Sequence, residues 1–316
     1  QRKKGGNRVF FIQKKYSEEV EKNNKHKNKE PSIARMTVLG LMATFTPTRW
    51  LLRMHKRKVE DSSTTEEVDS TMEQIPVFYV HGFRGGDYTT NKMVQAACEA
   101  KGTGKFLKAT IDPFGNFILE GTWTADKQPI VQLIFKDRIA GVYASSYYLR
   151  AALSYLSKRY HFKKYSAVAH SLGAPSVIKA EMKTSLRKNF PHLDHCALIA
   201  GPFDGVMYLG DLPNVNRLNE KGRPILMSLS YMGMLFNQRR FNPNISVLNI
   251  YGNILDETNT DRFISVVSAK SIRYILAPVA HTFQEVEVRG DAAEHSVLHD
   301  NPFVINIINK FLKLSD

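Results

Sequence analysis

The sequence predicts an α/β fold, a mostly parallel central sheet flanked by helices, and three observations carry that expectation. Short β-branched and aromatic apolar runs alternate with stretches of ten or more residues at helical spacing. One such run, 166–170, passes directly into a serine and a small-residue turn that opens a helical segment. The chain has 316 residues, 43% of them hydrophobic, which is enough to bury both faces of a sheet.

The first 34 residues hold the runs RKK, KK and KNNKHKNKE around one apolar patch, Val9 to Ile12, the composition of a solvated arm. Residues 1–58 carry 16 Lys and Arg against 4 Asp and Glu, whereas the remainder carries 28 against 26. The formal charge of +14 therefore belongs to the N-terminal extension, and nucleic acid is not an expected partner. A reading as a nucleic-acid-associated protein would rest on that tail alone. Residues 36–54, MTVLGLMATFTPTRWLLRM, are shorter and more polar than the roughly 20 apolar residues of a membrane span. Three readings stay open for them: a weak signal or anchor, an interfacial segment whose basic flank His55-Lys56-Arg57-Lys58 meets anionic lipid, and a segment packed on the domain. Residues 59–74, VEDSSTTEEVDSTMEQ, are acidic and Ser/Thr-rich and read as a linker. Residues 1–74 are thus expected as an extension and 75–316 as the folded domain.

From Ile75 the apolar runs of strand length are PVFYV, KFLKATI, NFILEGTW, PIVQLIF, SAVAH, CALIAG, ISVLNIYG and IRYIL. Helical stretches are expected at 91–101, 140–160, 172–187 and 303–314. The only cysteines, Cys98 and Cys196, lack a metal-ligand spacing and read as buried thiols.

The chemistry concentrates at Ala169-His170-Ser171-Leu172-Gly173, a strand, sharp turn and helix of the GxSxG type. Such a turn strains the serine backbone so that Oγ projects, and the flanking positions must be small; Ala169 meets that demand. A serine nucleophile needs a base and an orienting acid, in the chain order Ser, acid, His. The loop NILDETNTDRF offers Asp256, Glu257 and Asp261 just past an apolar run. Of His281, His295 and His299, His295 is the expected base, because it lies in a loop-like stretch shortly before Pro302 and the last helix. His295 and His299 stand four apart, yet no HExxH glutamate or third ligand accompanies them, so no metal is expected. The strand 76–80 runs into His81-Gly82-Phe83-Arg84-Gly85-Gly86, whose Phe83 N–H, with that of Leu172, would form an oxyanion hole.

Over roughly residues 75–314 these features resemble the candidate cell-surface α/β-hydrolases of Gram-positive bacteria, a lipase-like group of largely unassigned substrate. The resemblance rests on PVFYVHGFRGG, the stretch from Gly115 through PIVQLIFKD, AHSLGAPS, IAGPFDG, IYGN, DRFISVVSA and EHSVLHDNPFV. The family's acid lies in a pattern like SDGxVPxxSA, and the match at 260–269 selects Asp261 over the alternative Asp256. Arg262 stands for the usual Gly, Ser265 for the usual Pro and Ala169 for the first Gly of the elbow.

The resemblance implies an α/β-hydrolase fold with a small cap inserted at about 202–244. There Tyr231, Met232, Met234, Leu235 and Phe236 either line an acyl pocket or pack the cap onto the core. It also implies cleavage of a small-molecule or lipid-like carboxylic ester through an acyl-enzyme, by Ser171, His295 and Asp261 without a cofactor. A cell-surface or extracellular site with membrane contact through the extension is expected, a cytoplasmic one being left open. The competing readings are a thioesterase or amidase with the same parts and an inactive envelope-binding protein that keeps the fold. The oligomeric state is not legible.

Overall fold

The computed structural model describes residues 32–69 and 71–314, so most of the basic arm lies outside the described residues. Two helices come first, α1 (Ile33–Thr44) and α2 (Arg49–Arg53). The strands are β1 (Val59–Asp61), β2 (Thr64–Thr65), β3 (Val77–Val80), β4 (Leu107–Ile111), β5 (Phe117–Trp123), β6 (Ile130–Phe135), β7 (Lys164–His170), β8 (His192–Ile199), β9 (Val206–Met207), β10 (Gly210–Asp211), β11 (Ser246–Asn253) and β12 (Thr282–Arg289). Between and after them run α3 (Asp87–Ala100), α4 (Val142–Tyr160), α5 (Gly173–Thr184), α6 (Leu229–Phe236), α7 (Val266–Leu276), α8 (His295–Leu298) and α9 (Pro302–Phe311).

The main sheet has the order β1-β5-β4-β6-β3-β7-β8-β11-β12, with β2 also on β5, and every pairing but β4 with β5 is parallel. This is the mostly parallel, helix-flanked sheet expected from the sequence. Its central strands are apolar on both faces because helices cover both sides. In β3, Phe78 and Val80 join one core with α4, α5 and α7, while Val77 and Tyr79 join the other with α3 and α9. Both cysteines are buried and free.

Two expectations change, and one set of open readings narrows. The run IRYIL is the end of α7, where Ile272, Ile275 and Leu276 are buried at helical spacing, and the last strand is instead TFQEVEVR. Residues 59–65, read as linker, supply β1 and β2, which pair with β5 through their backbones while every side chain in them stays exposed. The sheet therefore starts well before Ile75. Of the readings of 36–54, packing on the domain holds for Leu39, Ala43 and Leu52, which are buried in the main core. No helix among the described residues is long and apolar enough to cross a membrane.

Candidate active site

The parallel strands direct their C-terminal ends to one edge, and the candidate groups gather there. Between β7 and α5, Ser171 adopts φ +53°, a left-handed conformation that costs a non-glycine residue about 1 kcal/mol or more. The Ser171 N–H donates to the Ile199 carbonyl at 2.8 Å, and the Ser171 carbonyl accepts from Ala174 N at 2.9 Å. Two glycines allow the β3 loop to press against this turn. A Cβ on Gly82 would stand 2.7 Å from the Ser171 Cβ, and one on Gly173 would stand 2.8 Å from the His81 carbonyl oxygen.

His295 opens α8, whose first turn is capped by the Glu294 carboxylate accepting from Ser296 and Val297 N–H at 3.0 and 3.1 Å. Its Nε2 lies 3.0 Å from Ser171 Oγ, and its Nδ1 lies 2.8 Å from Asp261 Oδ2. The Asp261 carboxylate is 1% exposed and also accepts from the Phe263 and Ile264 N–H groups at 3.0 and 2.7 Å. A second link is main-chain: His295 N–H donates to the Asp261 carbonyl at 3.0 Å. Asp261 and His295 are thus tied by backbone as well as side chain. The alternative acid, Asp256, is exposed and accepts from Thr258 N–H at 2.9 Å, so it serves the turn and not the histidine. His281 is exposed at the start of the last strand.

Three further histidines surround this arrangement, and none carried an assigned role from sequence. His170 is buried, and its Nε2–H donates to the His295 carbonyl at 3.1 Å; burial holds its imidazole well below the usual range, hence neutral. His299 stacks edge-on against His170 at 4.8 Å and pairs through Nδ1 with Asp300 at 2.9 Å. His81 accepts from Phe135 N–H at Nε2 (3.0 Å), which leaves Nδ1–H to donate to the Gly82 carbonyl at 2.8 Å. Burial lowers its pKa to about 4, so this tautomer persists at neutral pH. Because a trans peptide sets C=O and N–H in opposite directions, fixing the Gly82 carbonyl also fixes the Phe83 N–H. Among the described residues, neither the Phe83 nor the Leu172 N–H donates to a protein acceptor.

A family model described as "Alpha/beta hydrolase of unknown function (DUF915)" matches residues 64–314. The chain belongs to this α/β-hydrolase family. Among solved structures, the product of gene lin2722 from Listeria innocua shares 24% identity at a TM-score of 0.68, over 76% of this chain and 94% of that one. A candidate cell surface hydrolase from Lactobacillus plantarum WCFS1 shares 19% identity at 0.63, over 78% and 94%. No curated protein matches the chain.

In this α/β-hydrolase the three departures from the expected motifs each have a local account. Ala169 is fully buried where strand and helix meet. Ser265 caps α7, accepting from Ser268 N–H at 3.0 Å, and its hydroxyl donates to Asp211, which clips the inserted segment to the acid loop. Arg262 adopts φ +83°, a conformation suited to the glycine it replaces.

The insertion at 202–244 forms the small β9-β10 sheet and α6. It is held to the acid loop by Met207 N–H on the Phe263 carbonyl (2.9 Å) and to α5 by Lys179 Nζ on the Ser230 carbonyl (3.0 Å). Of the two readings of its apolar residues, packing onto the core holds for Tyr231 and Met234. Both are fully buried in the main core, with the Tyr231 hydroxyl donating to the Ser271 carbonyl at 3.1 Å, and Phe236 projects outward. A cavity of about 560 Å³ lies instead beside the acid loop, lined by Met207, Tyr208, Asp256, Thr260, Arg262 and Glu294 among others. Among the described residues no cluster of His, Cys, Asp and Glu could hold a metal ion.

Proposed function

We propose that this α/β-hydrolase cleaves carboxylic esters through an acyl-serine intermediate. The observation that carries the reading is the continuous chain Ser171 Oγ, His295 and Asp261, with contacts of 3.0 and 2.8 Å. His295 Nε2 takes the Ser171 proton as Oγ attacks the ester carbonyl, and the Asp261 carboxylate stabilises the imidazolium that forms. The Phe83 and Leu172 N–H groups receive the oxyanion of the tetrahedral intermediate, each donor lowering the barrier by roughly 3 kcal/mol. His295 then protonates the departing alcohol, and water attacks the acyl-serine with the same base. These parts serve thioesters and amides equally well, so a matched substrate panel separates the three. A cell-surface setting is part of the proposal, after the Lactobacillus plantarum neighbour named as a cell surface hydrolase.

The test is a fluorophosphonate probe applied to the protein and to Ser171→Ala, with the adduct mapped by mass spectrometry. Labelling at Ser171 that vanishes in the variant is the expected result. Absence of labelling, under conditions where a reference esterase reacts, would favour a non-catalytic binding protein on this fold.

A further inference from the structure

Two exposed apolar groups, far apart in sequence, emerge at the edge of the sheet that bears Ser171. The first precedes β1. Ile111, at the C-terminal end of β4, and Val59, the first residue of β1, both pair with Phe117. The segment 39–58 therefore reaches the sheet at the edge where β3, β6 and β7 end. Its helical turn at Gly40 packs on the loop leaving β6, where a Cβ would meet Asp137 Oδ2 at 3.0 Å. From this segment Phe45, Trp50 and Leu51 are exposed, the indole by 63%.

The second group belongs to the insertion that leaves the same edge after β8. Tyr208 and Leu209 are exposed there, Leu209 by 78%. The insertion is bonded to the acid loop, whose exposed Phe263 ring lies 5.4 Å from that of His295. The second apolar group is thus continuous with the candidate active site.

Charge identifies the occupant. No acidic residue occurs from 31 to 58, and exposed His55, Lys56, Arg57 and Lys58 follow the apolar residues directly. Exposed apolar side chains, an indole among them, beside a run of cations match the interface of an anionic bilayer.

We propose that the Ser171 edge docks on an anionic lipid bilayer, with Phe45, Trp50, Leu51, Tyr208 and Leu209 entering the interface, and that the ester cleaved is a lipid of that bilayer. The substrate clause rests on the serine-hydrolase reading; the docking clause does not.

Trp50 supplies its own reporter, because the only other tryptophan, Trp123, is buried. The experiment uses the full chain as Ser171→Ala, mixed with vesicles of phosphatidylcholine alone or with phosphatidylglycerol. Co-sedimentation and a blue shift of indole emission are expected with the anionic vesicles, both weakened by salt. Phe45→Ser and Leu209→Ser each remove one apolar side chain from the interface and should lower partitioning about tenfold.

In the Ser171 background these two variants should leave hydrolysis of a soluble short-chain ester unchanged and slow that of a vesicle lipid. No co-sedimentation with anionic vesicles would overturn the docking. Binding indifferent to both variants would also overturn it, by assigning attachment to the basic residues alone. A lipid-free dimer in sedimentation velocity that both variants dissolve would give the surface to a second copy of the chain. If anionic vesicles bind but no ester is cleaved, the substrate clause fails with the hydrolase reading and the docking stands.

Discussion

The His170 ring reaches across to the main-chain carbonyl of His295, 3.1 Å from Nε2, and so holds the backbone of the candidate base by a bond that needs no charge. The two residues are 125 apart in sequence, and the rings sit 4.8 Å centroid to centroid. In the proposed mechanism His170 positions His295 without touching substrate. His170→Ala should lower kcat on a soluble ester about tenfold at unchanged KM, a barrier change of about 1.4 kcal/mol. His170→Gln, whose amide can donate to the same carbonyl, should recover most of the rate. Equal losses in both variants, tracking a fall in melting temperature, would reduce the contact to packing.

Two carboxylates in one loop have opposite environments. Asp261 is buried and accepts from two N–H groups besides His295, while Asp256 is exposed and engaged with Thr258. Asp261→Asn presents the imidazole with a donor where it needs an acceptor, and kcat should fall by about 10⁴. Asp256→Asn should stay within about twofold of the parent. Steady-state rates with one ester decide the matter, and comparable losses would mean that the loop rearranges when substrate binds.

The fold was legible where burial is one-signed along the chain. Strands such as Phe78–Val80 and Ala167–Ala169 lie between two helical layers and are apolar at consecutive positions. The last strand was not legible, because Gln284, Glu285 and Glu287 sit on a half-covered edge and the strand persists through its backbone pairing with β11. Thr64 and Thr65 escape notice for the same reason. Spacing should have placed IRYIL in a helix, since Ser268, Ile272, Ile275 and Leu276 recur at three and four residues. At the candidate site, Ser171, Asp261 and His295 could be named because the elbow, the acid pattern and chain order constrain them. His81 and His170 lay inside the same motifs, yet what their rings do depends on carbonyls that only folding brings near. The apolar run at 231–236 left packing and pocket lining both open, because depth, invisible in sequence, separates a core residue such as Tyr231 from a pocket wall.

Arg262 gives a stability prediction from backbone geometry alone. Its φ of +83° is strained for a residue with a Cβ, and its side chain is exposed, so little packing is at stake. Arg262→Gly relieves that strain and loses part of the gain to greater freedom of the unfolded chain. A net stabilisation of up to about 1 kcal/mol is expected in urea denaturation. A loss of stability would mean that the guanidinium makes a contribution larger than the strain.

Glu181 sets a pH dependence whose sign can be worked out. It is fully buried in α5, with Oε2 accepting from Leu193 N–H at 3.1 Å and Oε1 without a partner among the described residues. Burial raises its pKa from 4.5 to about 7. As pH rises through 4.5 the unfolded chain releases this proton, while the folded protein keeps it until about 7. Stability therefore falls across that window, by about 3 kcal/mol for this group. His81 acts in the opposite sense, its pKa being lowered from 6.5 to about 4, so that its contribution is lost as pH falls through that range. The His81 effect is common to parent and variant and cancels in their difference. Glu181→Gln keeps an acceptor for Leu193 and removes the titration. It should be more stable than the parent at pH 8, by at most about 3 kcal/mol, and no more stable at pH 4.5. Denaturation curves at the two pH values measure this, and a difference independent of pH would show that the carboxyl ionises in the fold as freely as in the unfolded chain.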